Sequence, residues 1–194
     1  IIFKIMINII AGSNKKTNLE VPKGIDVRPT SALKREAIFS IIESYSKKYS
    51  FEIYSKNCFI DFYAGSGSFG LEGISRGASY VYFYENNTNV LKCLEKNCQK
   101  ICIKNNFTIF KEDIDKIKIN NIRFPVSVIF IDPPYILNPF EKLLKKIISE
   151  NILNKNTLIV IEISKKSEVC FPKDLLIFDE RIYGKTKILF LKKL

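Results

Sequence analysis

From Asn57 onward, short apolar runs alternate with longer segments whose apolar positions recur at helical spacing. "CFIDFYA", "YVYFYE", "FTIFKED", "VSVIFIDPPY" and "TLIVIEIS" each read as a strand. Between them "SFGLEGISRG", "NTNVLKCLEKNCQKI" and "NPFEKLLKKIISE" read as helices. Runs rich in β-branched and aromatic residues, apolar on both alternating faces and each followed by a helix, predict parallel strands covered on both sides. The closing "LLIFDERIYGKTKILFL" breaks that alternation. Two strand-like runs around "YGKT" predict a hairpin that adds an antiparallel edge. The expected fold is an α/β, Rossmann-like, doubly wound and mostly parallel sheet with an antiparallel C-terminal hairpin and a small N-terminal extension.

The first fifty residues differ in character. "INIIAGSNKKTNLEVPKG" predicts one or two short strands joined by a polar turn. "RPTSALKREAIFSIIESY" predicts a helix starting near Pro29, Thr30 or Ser31. Its Leu33, Ala37, Ile38, Ile41, Ile42 and Tyr45 recur at the spacing of one buried face. We therefore divide the chain into residues 1–50, a strand/turn extension and a helix, and residues 51–194, the alternating α/β domain, within one compact unit.

Composition narrows the chemistry. The 194 residues carry 31 Lys+Arg against 20 Asp+Glu, a formal charge of +11, which favours a polyanionic partner. There is no His, which removes Ser-His-Asp and Cys-His catalysis and Cys/His zinc sites. Five Cys without paired C-x-x-C spacing read as reduced, mostly buried thiols, so neither a disulfide framework nor a metal site is expected. The opening "IIFKIMINII" is short and carries Lys4, which argues against a signal peptide or membrane span, and the cytoplasm is the expected location. Met6 is the sole Met and marks a candidate natural start.

Two motifs carry chemistry. In "FIDFYAGSGSFG", Gly65, Gly67 and Gly70 give G-x-G-x-x-G between a predicted strand and a predicted helix, a way of bringing backbone against a nucleotide. Asp61, just before the loop, suits a cationic or hydroxyl-bearing ligand better than a pyrophosphate. Glu85 ends the next strand, where a carboxylate accepts from both hydroxyls of a ribose. In "VIFIDPPY", Asp132, Pro133, Pro134 and Tyr135 follow a strand at its carboxyl end, the edge where open α/β sheets bind ligands. Two prolines after an acid remove two N–H donors, leaving carbonyls, a carboxylate and an aromatic wall. Such a slot fits an exocyclic amino group: Asp132 and the Pro133 carbonyl accept its hydrogens, Tyr135 stacks on the base, and the nitrogen lone pair is freed to attack a methyl group.

These residues resemble class I S-adenosylmethionine-dependent methyltransferases. More narrowly, "RPTSALKREAIFSII" and "NIIAG" together with "IFIDPPY" resemble the RsmD family, which methylates the exocyclic N2 of a guanine in bacterial 16S ribosomal RNA. The resemblance covers almost the whole chain. It implies that Asp61, Ala64, Gly65, Ser66 and Gly67 line the methionine and ribose end of S-adenosylmethionine, that Glu85 holds the ribose and that Asp113 contacts the adenine. Asp132, Pro133, Pro134 and Tyr135 would form the catalytic slot. The expected partner is 16S rRNA within a small-subunit particle, gripped by Lys15, Lys16, Lys23, Arg28, Lys34 and Arg35. Asn8, Lys16 and Thr17 stand where the family usually has Arg and a Gly-Arg pair, so lysines would serve as point charges there. Three other readings share parts of the pattern. A DNA amino-methyltransferase lacks room here for a sequence-reading domain, a non-catalytic RNA-binding assembly factor has no need of an intact slot, and a nicotinamide oxidoreductase has no use for Asp132-Pro-Pro.

Overall fold

A computed structural model describes residues 7–22, 31–102, 104–111, 119, 122–134 and 136–194. A two-stranded antiparallel ribbon, β1 (Ile7–Asn8) and β2 (Asn18–Leu19), precedes helix α1 (Ala32–Lys48). Then follow β3 (Cys58–Phe62), α2 (Ser68–Arg76), β4 (Tyr80–Tyr84), α3 (Thr88–Ile101), β5 (Phe107–Phe110), β6 (Val126–Ile131), α4 (Phe140–Ser149), β7 (Leu158–Ser164), β8 (Leu175–Tyr183) and β9 (Thr186–Lys193). Among the described residues, seven strands form one sheet in the order β5-β4-β3-β6-β7-β9-β8. The first five run parallel, and β9 returns antiparallel between β7 and β8, as the apolar runs and the terminal hairpin predict. The order reverses direction between β3 and β6, so the cleft of a doubly wound sheet opens at their carboxyl ends.

Side chains alternate across each strand, and the two faces bury different partners. Phe59, Val81, Phe83, Val128, Phe130 and Val160 face one apolar cluster, which also takes Ile38, Phe39 and Ile42 of α1, Leu71 of α2 and Leu94 of α3. Ile60, Tyr82, Ile129, Ile131, Ile159 and Ile161 face the other, covered by Leu143, Leu144 and Ile147 of α4. Ile7, Ile9 and Leu19 of the N-terminal ribbon join the first cluster. The described residues among the first fifty thus contribute a layer to the same core.

Helix α1 buries Ile38, Ile42 and Tyr45 as expected, with Ala37 and Ile41 partly buried, and departs from expectation in its first turn. Ser31 caps its N-terminus by accepting from the Lys34 N–H, but the buried side is Arg35, Ile38, Phe39, Ile42 and Tyr45. Leu33 is 76% exposed, while the Arg35 side chain is wholly buried. Helical spacing places either residue at the edge of the buried face. What brings Arg35 in is a polar network the apolar pattern cannot display.

That network centres on Glu72 in α2, which is fully buried. Its two carboxylate oxygens accept from the backbone N–H groups of Ile10 (2.8 Å) and Ala11 (3.0 Å), and Arg76 Nε donates to it at 2.8 Å. Arg76 also pairs with Glu43 of α1 at 2.7 Å, and its guanidinium lies 4.6 Å over the Phe39 ring. Arg35 donates to the backbone carbonyl of Asn8. Burial lowers the Arg35 pKa from the ordinary arginine value, with the Glu72 charge opposing that shift. The ribbon, α1 and α2 are therefore tied by charge-assisted bonds inside the apolar layer.

Removing one partner from such a network leaves buried charge uncompensated. We predict that Glu72→Ala lowers unfolding free energy by about 3–5 kcal/mol. Urea denaturation followed by helical circular dichroism measures this, and a loss below about 1 kcal/mol would show that the network is dispensable.

Candidate active site

Four acidic residues stand at or just past the carboxyl ends of adjacent strands. Asp61 pairs in register with Phe83 and Phe130, which face the first cluster, so it points to that side too. Glu85, Asp132 and Glu162 each follow by two residues a side chain of that same face: Phe83, Phe130 and Val160. In strand order they form a row: Glu85, Asp61, Asp132, Glu162. Each is held differently.

Asp61 lies beneath the surface, at 2% exposure, and accepts from the Gly70 N–H at 2.9 Å. There the carboxyl group anchors the first turn of α2 from below the cleft surface. Burial pushes its pKa up to about 8; the Gly70 N–H works against that shift, and the nearby Glu85 charge adds to it. Glu85 is half-buried at the cleft edge. One of its oxygens accepts from the Gly65 N–H at 3.0 Å and the other from the Asn87 N–H at 2.9 Å. A carboxylate oxygen takes more than one donor, so this fixed group retains acceptor capacity for a vicinal diol.

The loop between Asp61 and α2 is shaped by its glycines. Gly67 caps α2 at φ +79°, and a Cβ there would sit 2.6 Å from Leu94 Cδ1. Gly70 is required for packing: a Cβ would sit 2.4 Å from the Phe83 ring. Ala64 and Ser66 are buried with their backbone engaged. The Ala64 N–H donates to Tyr84, and the Ser66 carbonyl accepts from Asn97 Nδ2 at 2.9 Å. The loop is thus rigid backbone held between β4 and α3, with Gly65 bonded to Glu85 on its cleft side.

Asp132 is half-buried past the end of β6, Pro133 is buried and Pro134 exposed. The Pro134 carbonyl is already committed to a turn, accepting from the Leu137 N–H at 2.8 Å. Since Ile131 pairs with Ile161, Asp132 stands beside Glu162, about 4.8 Å away across the strand spacing. Glu162 is buried and bonds Lys34 Nζ at 2.7 Å. Sequence reasoning missed Glu162, although its signal was present: one acid near the carboxyl end of an otherwise apolar strand.

The predicted RNA-binding residues do not gather at this edge. Arg35 is a correction, because its guanidinium is inside the core and cannot meet a phosphate. Lys34 reaches the cleft but is paired with Glu162. Lys15 and Lys16 are exposed, yet their turn is bonded to the last turn of α2, where the Ser13 N–H donates to the Ser75 carbonyl at 2.8 Å. That is the amino-terminal edge of the sheet, a helix length of roughly 13 Å from the glycine loop. Lys23, Arg28, Asp113 and Tyr135, like the residues up to Met6, lie outside the described residues.

Four cysteines are buried and Cys170 is exposed. Burial pushes the Cys58 thiol up to about 12, so it is inert as a nucleophile. Among the described residues no group of acids and cysteines has the arrangement of a metal site, and no helix is long and apolar enough to cross a membrane.

The family named conserved hypothetical protein 95, the RsmD family, matches residues 7–192. The chain belongs to that family. It is 30% identical to the ribosomal RNA small subunit methyltransferase D of Buchnera aphidicola (subsp. Acyrthosiphon pisum) over 91% of this chain and 87% of that protein. It is 29% identical to the Haemophilus influenzae protein of the same name, over 92% and 89%. Solved structures agree in fold: a candidate methyltransferase from Escherichia coli superposes with TM-score 0.80 at 23% identity, covering 97% of this chain and 98% of that one. A candidate methylase from Haemophilus influenzae gives 0.75 at 26% identity, covering 97% and 99%. The seven-stranded sheet of this RsmD-family chain is therefore the class I methyltransferase fold.

The Asp61 carboxyl supplies a test of the loop's anchoring. Its folded pKa lies above the ordinary value of 3.8, so the folded state holds the proton more tightly and loses stability as pH rises through about 8. Asp61→Asn keeps the acceptor for Gly70 without the charge. It should remove this slope, so that the variant gains on the wild type between about pH 5 and about pH 9 in urea denaturation. Parallel pH profiles for the two proteins would show that Asp61 is ionised in the fold.

Proposed function

We propose that this chain transfers a methyl group from S-adenosylmethionine to the exocyclic N2 of a guanine in small-subunit (16S) ribosomal RNA. The observation that carries this reading is the placement of Asp132-Pro133-Pro134 on the same sheet face as Glu85 and the glycine loop. In the strand order β4-β3-β6, Glu85 and Asp132 are two strands apart, roughly 10 Å at the usual spacing. A nucleoside held at one and an amine at the other are thus brought together. The methyltransferase names of the relatives support the reaction, and their rRNA names support the substrate.

The residues fit the cofactor. Glu85 is pinned by two backbone donors with acceptor capacity to spare for ribose hydroxyls, and the Gly65–Gly67 backbone beside it offers a close approach. When bound, S-adenosylmethionine supplies an electrophilic methyl group, which needs no protein nucleophile. Asp132 accepts one hydrogen of the target amine and the Pro133 carbonyl the other, which turns the nitrogen lone pair out of the ring plane. The Asp132 carboxylate is also the nearest acceptor for the proton the amine sheds. Asp113 at the adenine and Tyr135 stacked on the extruded base complete the proposed site; extrusion costs a few kcal/mol, least for a base already in a loop.

Incubation with radiolabelled S-adenosylmethionine and either 16S rRNA, small-subunit particles or duplex DNA tests the proposal. Label should enter rRNA and be recovered as N2-methylguanosine after nuclease digestion. Incorporation into DNA favours an amino-methyltransferase of DNA instead, and no incorporation favours an assembly factor.

Two substitutions separate the roles. Glu85→Ala should weaken S-adenosylmethionine binding by calorimetry by roughly 1.5–3 kcal/mol, the range for hydrogen bonds to a charged acceptor. Asp132→Ala should abolish turnover and leave that affinity within about twofold, since its partner is the amine. Near wild-type turnover in Asp132→Ala would refute the acceptor-slot mechanism.

A further inference from the structure

We propose that the turn after β7 and the tip of the β8–β9 hairpin, carrying Lys165, Lys166 and Lys185, form the surface that grips phosphates of the RNA strand entering the Asp132 slot. This rests on the reading that the substrate is RNA, and it moves the grip away from the N-terminal extension.

The two turns form one unit. Ser164 pairs with Thr186 across the antiparallel ladder, and the Lys165 N–H donates to the Lys185 carbonyl at 2.8 Å. Because β9 runs against β7, the hairpin tip lies at the carboxyl end of β7, on the catalytic edge. Glu162 stands beside Asp132, and Lys165 follows it by three residues, about 10 Å along the strand direction. The cluster therefore sits one to two nucleotides from the slot.

Position at the catalytic edge, together with charge availability, marks these three lysines. All are exposed, and none forms an ion pair with a described residue. Their basic neighbours are engaged: Lys34 with Glu162, Arg181 with Asp179, and Lys187 with Glu180 at 3.8 Å. The acid nearest in sequence is Glu168, also exposed, which leaves the combined turns positive. Ile136, two residues past Pro134 and 92% exposed, adds an apolar surface beside the slot. Neutralised phosphates next to an apolar contact for an unstacked base is the pattern of single-stranded RNA recognition.

The test compares K165E/K166E/K185E with K15E/K16E, which reverses charge at the opposite edge, by fluorescence titration of labelled 16S rRNA over a range of salt. The triple variant should bind RNA at least tenfold more weakly. Its salt slope should shrink by about two, since each lost phosphate contact removes roughly 0.7. Its affinity for S-adenosylmethionine should not change, K15E/K16E should stay within about twofold of wild type, and K165R/K166R/K185R should keep wild-type affinity. An unchanged RNA affinity in the triple glutamate variant, or an equal loss in K15E/K16E, overturns the surface whether or not the wild type methylates rRNA. Conversely, a wild type that transfers no methyl group but needs these lysines to bind RNA upholds the surface and defeats the proposed reaction.

Discussion

A carboxylate withdrawn from water must find donors, and in this protein those donors are what assemble the site. Glu72 takes two backbone N–H groups from the N-terminal segment and so fixes that segment to α2. Asp61 takes the Gly70 N–H and sets the first turn of the same helix against β3. Glu85 takes the Gly65 N–H and holds the glycine loop to the end of β4. Glu162 takes the Lys34 ammonium and brings the first turn of α1 to the end of β7. The Glu72 and Glu162 bonds join elements far apart in the chain, while those of Asp61 and Glu85 fix the glycine loop and the helix it leads into, and all four lie wholly or partly out of solvent.

This arrangement divides the labour among residues of one type. Of the four acids at the carboxyl edge, Asp61 and Glu162 are buried and structural in position, while Glu85 and Asp132 are half-buried at the cleft. The basic residues divide likewise. Arg35 and Arg76 serve the interior, Lys34 serves Glu162, and the charge left for a polyanion is distributed over exposed turns. A net charge of +11 thus describes the amount of positive surface without saying where it is.

The RsmD-family relationship and the fold agree along the length of the chain. The family match spans nearly the whole chain, so the N-terminal ribbon and the terminal hairpin are parts of the family's fold in this chain. The departures in the N-terminal segment are absorbed locally: Asn8 contributes its backbone carbonyl to Arg35, a role indifferent to side chain. Lys16 occupies a left-handed turn position at φ 70°, in a turn whose backbone is bonded to α2.

What the sequence determined by itself was everything governed by local chemistry. Continuous apolar runs placed β3, β4, β6 and β7 within a few residues of their observed ends, because burial on both faces leaves a strand no other pattern, and the run on each side of the Tyr183–Thr186 turn placed β8 and β9. Glycine spacing after β3 and two prolines after β6 marked the cleft, because few backbones need three glycines or tolerate two missing donors. The tertiary structure alone decided what the first turn of α1 buries, since the Glu72 charge and the Asn8 carbonyl let Arg35 enter the core while Leu33 stays exposed. It alone put Glu162 beside Asp132, through strand register between segments thirty residues apart. It also carried Lys15 and Lys16 to the far edge, because the turn that bears them is bonded to the end of α2 rather than to its start. Periodicity reports that a face is buried; only long-range pairing of charges and backbone donors reports what it is buried against.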